Sequence, residues 1–162
     1  LNMVKLRKHG YINALHERNI TVEPKLVKCD KITLQKAMAN TDRLLSLPEP
    51  PDGILALNDT LVFAAMKAIK RRGLRIPEDV SLIGFTDVEY TEDVNPPLSA
   101  VMDQSYKMGE AACEILINQI KGEKKAEHRV VPTILKIRES SLKKVNNEIV
   151  NGGDDNHSEE II

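Results

Sequence analysis

Residues 53 to 85 read GILALNDTLVFAAMKAIKRRGLRIPEDVSLIGF, and the reading of this stretch decides the fold. Gly53 to Leu57 and Val80 to Phe85 are near-continuous apolar runs of strand length. Such runs predict strands covered on both faces, as in parallel sheets. Between them Leu61, Val62, Ala64, Ala65, Met66, Ala68 and Ile69 recur at helical spacing. Asn58, Asp59 and Thr60 precede that helix with side chains able to cap free backbone amides. Gly73 follows it as a helix-ending glycine, and Arg75-Ile76-Pro77-Glu78-Asp79 forms a short surface link. A strand, a helix and a second strand in this order predict a right-handed crossover.

The same alternation extends on both sides. Met3 to Arg18 carries Val4, Leu6, Tyr11, Ile12, Ala14 and Leu15 at helical spacing, and Thr33 to Leu47 carries Leu34, Ala37, Met38, Leu44 and Leu45. A further helix, Tyr106 to Ile120, stops at Gly122. Lys25 to Cys29, Leu98 to Met102 and Val130 to Ile137 are additional strand-length runs. The class is therefore α/β, an open, mostly parallel sheet with helices on both faces. The helix over 106–120 has its own apolar face, and periodicity leaves open whether it packs on the same sheet. After Ser141 the apolar residues thin out towards Asn151-Gly152-Gly153-Asp154-Asp155-Asn156, so residues 142–162 are expected to be a disordered polar tail.

The 162 residues suit one domain, and 41% hydrophobic with 29% charged residues is globular composition. No apolar run reaches the roughly 18 to 20 residues of a membrane-spanning helix. The opening residues, Leu1 to Arg7, contain no signal-like apolar stretch. The chain begins on Leu1 rather than Met, which reads as a piece of something longer. A net charge of −1, from 23 basic and 24 acidic residues, lacks the basic excess of a nucleic-acid grip. The one basic cluster, Lys67, Lys70, Arg71, Arg72 and Arg75, falls at a helix end, where cations offset the helix dipole. Specific DNA binding by this stretch alone is not expected. Cys29 and Cys113 have neither disulfide-framework nor zinc spacing and read as buried thiols of a reducing compartment. His9, His16, His128 and His157 lack metal-ligand spacing, so neither a metal site nor a cofactor is expected.

Ligands of open parallel sheets bind at the carboxyl ends of the strands. Two such ends are polar here: Asn58-Asp59 after the first central strand, and Thr86-Asp87 after the second. Asn supplies a donor and an acceptor and Asp accepts twice, a set suited to polyhydroxylated ligands. Arg7 can add a forked donor. Each has a plainer alternative: Asp59 as a helix cap, Asn58 as a loop residue, Arg7 as a solvated helix residue, Thr86-Asp87 as turn chemistry. Catalytic readings fare worse. A magnesium-dependent phosphoacceptor needs several converging carboxylates and a lysine, and no acidic pair follows an early strand. There is no nucleophile elbow and no glycine-rich phosphate loop. Cys113 sits in an apolar helical stripe, where its thiol is expected to be inert. The chain does not read as an enzyme.

Pro51-Asp52-Gly53-Ile54-Leu55-Ala56-Leu57-Asn58-Asp59 resembles the "PDAIFAxND" segment of LacI-family transcription regulators, and Gly73-Leu74-Arg75-Ile76-Pro77-Glu78-Asp79-Val80-Ser81 with Gly84-Phe85 resembles their "GLxVPxDVSVxGFDD" block. Asn95-Pro96-Pro97-Leu98-Ser99-Ala100-Val101 is similar to "SPPLTTV", and Met108-Gly109 with Ala111-Ala112 and Leu116 to "MGxxAxxxLL". Arg138-Glu139-Ser140-Ser141 is similar to "RESS", and Arg7-Lys8-His9-Gly10-Tyr11 with Ala14-Leu15 to "RxxGYxxAL". The blocks run in register from Arg7 to Ser141.

The resemblance implies the C-terminal lobe of a periplasmic-binding-protein-like type I core over residues 1–141. It implies that 104–122 crosses into a first lobe mostly outside this chain, and that the strand over 130–137 returns. The family's effector contacts then fall on Arg7 and Asn58, with Asp59 beside them, and on Thr86, where the family has an acid; Asp87 follows. Lys31-Ile32 aligns near the ligand more loosely. A homodimer is implied through the helix Leu61 to Lys70 and the segment Glu92 to Pro97, with Val62, Phe63, Met66, Asn95 and Pro96 at the contact. The alternative for the apolar residues is intramolecular core. The implied function is a cytoplasmic regulator whose small-molecule effector, a sugar or related compound, shifts the population of two states. Operator DNA would be met only through a helix-turn-helix head outside this chain. The alternatives are a periplasmic sugar-binding protein of a transporter and a receiver-like phosphoacceptor.

Overall fold

The strand–helix–strand unit forms where the sequence predicts it in the computed structural model, which describes residues 2–86, 91–122, 127–145, 148–149 and 160–161. In chain order the elements are α1 (Asn2–Glu17), α2 (Leu34–Leu44), β1 (Gly53–Ala56), α3 (Asp59–Arg71), β2 (Ser81–Phe85), β3 (Ser99–Met102), α4 (Ser105–Ile120) and β4 (Thr133–Lys136). Three two-residue strands follow: β5 (Lys144–Val145), β6 (Glu148–Ile149) and β7 (Glu160–Ile161). The main sheet runs β1-β2-β3-β4-β7. β1, β2 and β3 are parallel, while β4 and β7 join antiparallel, so the sheet is mixed.

Local chemistry sets the helix ends. The Leu61 amide donates to Asn58 Oδ1 at 2.9 Å, so Asn58 rather than Asp59 caps α3. Thr33 caps α2 by accepting from the Lys36 amide at 3.3 Å. Past the end of α3, Gly73 takes φ +73°, which favours glycine. Val62, Ala65, Met66 and Ile69 on α3 pack with Ala56, Val80, Leu82 and Leu98 to form the core. Burying each large side chain stabilises the fold by roughly 1.5 to 3 kcal/mol. At Gly84 a Cβ would come within 3.1 Å of Val62 Cγ2, so this residue lets helix and strand approach closely. The basic cluster at the end of α3 does more than offset a dipole. Arg71 and Arg72 both pair with Asp42 of α2, tying the two helices together, and Arg75 pairs with Asp79.

Three sequence expectations meet a different outcome. Lys25 to Cys29 is not a strand: Pro24–Leu26 is a turn of 3-10 helix, with Pro24 fixing φ and lacking an amide. Among the described residues no strand pairs with the outer edge of β1. The apolar runs are covered less fully than their composition implies, because α3 packs on one face and Leu55 is 42% exposed on the other. Cys29 and Cys113 are exposed rather than buried. For Cys113 the reason is that α4 has no buried residue, and its Met108, Leu116 and Ile120 face outwards. Of the expected tail, β5 pairs with β6, and β7 pairs with β4 at the sheet edge; most of residues 150–162 lies outside the described residues.

Candidate functional site

The polar strand ends are joined by a residue from the first helix. Arg7 of α1 donates from Nη1 to the Leu57 carbonyl, 2.7 Å away at the end of β1. Its guanidinium carbon lies 3.5 Å from the centroid of Phe85, the last residue of β2. Its Nη2 lies 3.5 Å from Asp103 Oδ2, just past β3. One side chain therefore touches the carboxyl ends of three consecutive parallel strands. The Arg7 side chain is only 19% exposed, so its contacts work at reduced screening.

The remaining candidates gather beside it. Asn58 spends its side-chain oxygen on the α3 cap, which leaves its amide N–H groups outside that bond. The Thr86 hydroxyl donates to Asp59 Oδ1. Thr86 is buried and its amide is held by the Val101 carbonyl, so the hydroxyl is fixed in place. Asp87 lies outside the described residues. Asp103 and Phe85 were not among the sequence candidates. The signal was present for Asp103, an acid directly after a third strand, as for the other two ends. Phe85 looked like plain strand core, and only the approach of α1 reveals its aromatic face.

A cavity of about 760 Å³ adjoins this cluster between α1, the 26–32 segment, α2 and the outer edge of β1. Leu26, Leu44, Leu55 and Ile83 make it largely apolar, and it meets the polar cluster at Leu57 and Asn58. Arg7, Asp59, Thr86 and Asp103 do not line it. It is the space along an unpaired strand edge, and the polar chemistry sits at the strand ends. Lys31-Ile32 lines this cavity rather than the cluster.

The residues expected at a dimer contact divide. Val62 and Met66 lie in the chain's own core and Pro96 is buried, whereas Phe63 is partly exposed and Asn95 exposed. Val62 and Met66 thus match the alternative of intramolecular core, packed with β2. Among the described residues no cluster of histidine, cysteine or acidic side chains could hold a metal. No described helix is long and apolar enough to cross a membrane.

Residues 3–141 match the periplasmic binding protein-like domain family. The chain belongs to this family, and the relatives it is similar to include LacI-type regulators. It is 32% identical over 117 residues, 72% of its length, to the HTH-type transcriptional repressor CytR of Escherichia coli (strain K12), covering 34% of that protein. It is 33% identical over 141 residues, 87% of its length, to the HTH-type transcriptional repressor PurR of Vibrio atlanticus, covering 42% of it. Among solved structures, a sugar-binding LacI-family regulator from Escherichia coli in complex with phosphate superposes with a TM-score of 0.74 at 30% identity, over 83% of this chain and 48% of that one. A LacI-family regulator from Enterococcus faecium with bound ribose gives a TM-score of 0.76 at 27% identity, over 85% and 51%. The chain thus spans between a third and about a half of the length of the relatives it matches. Those curated relatives are transcriptional repressors.

Proposed function

We propose that this chain is the effector-binding portion of a cytoplasmic LacI-type transcription regulator, not an enzyme, and that its effector is a sugar or a related polyhydroxylated compound. The observation that carries this reading is the convergence of Arg7 on the ends of β1, β2 and β3. An open α/β sheet offers its ligand crevice there. Asn58, Asp59, Thr86 and Asp103 surround the point with donors and acceptors in the mixture that hydroxyls need. A solved relative carries ribose, which supports a sugar here. Asp87 completes the proposed set.

Effector binding acts on DNA only through a coupled change of shape, and its size is the ligand's differential affinity for the two states. Operator DNA is met through a helix-turn-helix head outside this chain, as the relatives' names support. The exposed face of α4 supports assigning 104–122 to a partner lobe. Phe63 and Asn95 are the residues through which a homodimer contact remains open.

The test is a thermal-shift screen of the chain, and of the chain joined to a complete first lobe and head, against a sugar library. Operator binding is then measured with any hit. A sugar that raises the melting temperature and changes operator affinity supports the reading. Stabilisation without any effect on DNA points to transport, and no stabilisation by any polyol sinks the sugar effector.

A further inference from the structure

The two edges of the main sheet are protected in different ways. The outer edge of β1 borders the cavity between α1, the 26–32 segment and α2, so other parts of the chain stand beside it. Among the described residues, the one strand on the far side of β4 is β7. It pairs antiparallel, with Ile161 opposite Thr133 and Glu160 opposite Ile134. β7 also lies outside the residues that match the domain family, which end at 141. The matched part of the sheet therefore ends on β4, and residues 160–161 add one more strand to it.

Without β7, β4 presents an apolar strand with a free edge. Residues 130–137 read VVPTILKI, and Lys136 is the one charged residue among them. Val130, Leu135 and Ile137 are exposed. Strands rich in apolar and β-branched residues, with little charge, pair readily with strands of other chains. Pro132, just before the strand, and Lys136, at its end, are residues that blunt an edge. Between them the backbone groups of alternate residues point away from β3, and these need a partner.

A second copy of the chain offers that partner. Two identical strands can pair antiparallel about a twofold axis, each supplying the same edge to the other. We propose that residues 160–161 are a removable cap on a strand-accepting edge, and that β4 pairs with β4 of a second copy once the cap is withdrawn. The proposal goes beyond the effector reading and requires no ligand.

The test compares the full chain, a chain ending at His157, and a full-length Glu160→Pro/Ile161→Pro variant. Proline has no amide to give to a ladder, so the variant loses the pairing while keeping the segment. All three carry Leu116→Lys, which takes the exposed apolar residues of α4 out of any association. In dilute protein, the amides of β4 that face away from β3 should exchange about ten-fold faster, or more, in both altered chains. The amides of Leu82 and Ile83 in β2 should stay slow, which shows that the fold is kept. At high concentration both altered chains should sediment as dimers while the full chain stays monomeric. Adding Leu135→Lys should return them to monomers, because a charge then falls on the paired edge. Unchanged exchange in β4 overturns the cap. Faster exchange in chains that stay monomeric overturns the strand-accepting edge. A dimer indifferent to Leu135→Lys places the contact elsewhere and overturns it as well.

Discussion

The guanidinium carbon of Arg7 lies 3.5 Å from the centroid of the Phe85 ring, and this contact ties the first helix to the end of β2. α1 has little else to hold it, since Met3, Val4 and Leu6 are exposed. A cation–π contact contributes about 0.5 to 1 kcal/mol at exposed sites and about 2 when desolvated. The hydrogen bond to the Leu57 carbonyl adds a charge-assisted term of about 1.5 to 3 kcal/mol. Arg7→Ala should therefore speed amide exchange throughout α1 and weaken effector binding by about 1.5 to 3 kcal/mol in calorimetry. Arg7→Lys keeps the charge but loses the planar fork of donors, so it should recover only part of either effect. Unchanged exchange in α1 would remove Arg7 as its anchor.

Thr86 stands where the resembled pattern has an acid, and it makes one contact that an acid would change. Its hydroxyl donates to Asp59, and an ionised acid would offer a second carboxylate instead of a donor. Thr86→Asp should raise the pKa of one member of the new pair, since two carboxylates sharing a site cannot both ionise cheaply. A carboxyl whose folded pKa is raised contributes stability below its unfolded value, about 3.9, and loses it as pH rises through the folded value. Denaturant unfolding should show the variant close to wild type near pH 4 and about 1 to 3 kcal/mol weaker at pH 7. A pH-independent deficit would mean that the added carboxyl is solvated away from Asp59.

How much was legible in the sequence follows from which residues carry their own signal. The 53–85 unit was legible because its apolar runs, its Asn58 cap and Gly73 all act locally. Asn58, Asp59 and Thr86 were legible as strand-end residues. The helix over Pro24–Leu26 was misread because Leu26 and Val27 look like strand core, while Pro24 and the absence of a partner edge decide otherwise. The assignment of the cap to Asn58 rather than Asp59 depends on one backbone turn. Phe85 and Asp103 needed tertiary structure, because their importance comes from an arginine about 80 to 100 residues away in the chain. Exposure of Cys113 depends on what α4 packs against, which periodicity does not encode.

Ser140 predicts the largest loss of stability from a small change. It is fully buried, donates to the Leu82 carbonyl at 2.6 Å and accepts from the Ser99 amide at 2.8 Å. These bonds stitch the closing Arg138–Ser141 segment to β2 and β3. Ser140→Ala leaves two buried backbone groups without partners, at about 1 to 3 kcal/mol each. Urea unfolding should show a loss of about 2 to 4 kcal/mol, whereas Ser46→Ala, on the surface of the same molecule, should cost well under that. Equal losses would mean that water replaces the Ser140 hydroxyl.

Asp42 sets a pH dependence at the α2–α3 junction. The hydrogen bond from Arg72 holds its carboxyl below the usual carboxylate range; burial opposes this, and the charge of Arg71 adds to the lowering. A carboxyl with a lowered folded pKa contributes stability above its unfolded value, about 3.9, and loses it as pH falls through the folded one. The gap in unfolding free energy between wild type and Asp42→Ala should be about 1 to 2 kcal/mol at pH 7 and should close below about pH 4. A gap that persists at pH 2 would show that packing, not charge, is what the substitution removes.

α4 presents Tyr106, Met108, Leu116, Ile117 and Ile120 to solvent, with Cys113 among them. Exposed apolar side chains in this number on one helix favour association. The chain should therefore self-associate with rising concentration, and Leu116→Lys should shift sedimentation towards the monomer. Thiol labelling gives an independent reading. In dilute native protein both cysteines should react without denaturant, since both are exposed. At high concentration Cys113 should become slower while Cys29, far along the chain in the segment after the Pro24 turn, keeps its rate. Slowing of Cys29 alone would move the contact to the 26–32 segment beside β1, and slowing of neither would mean that α4 stays solvated.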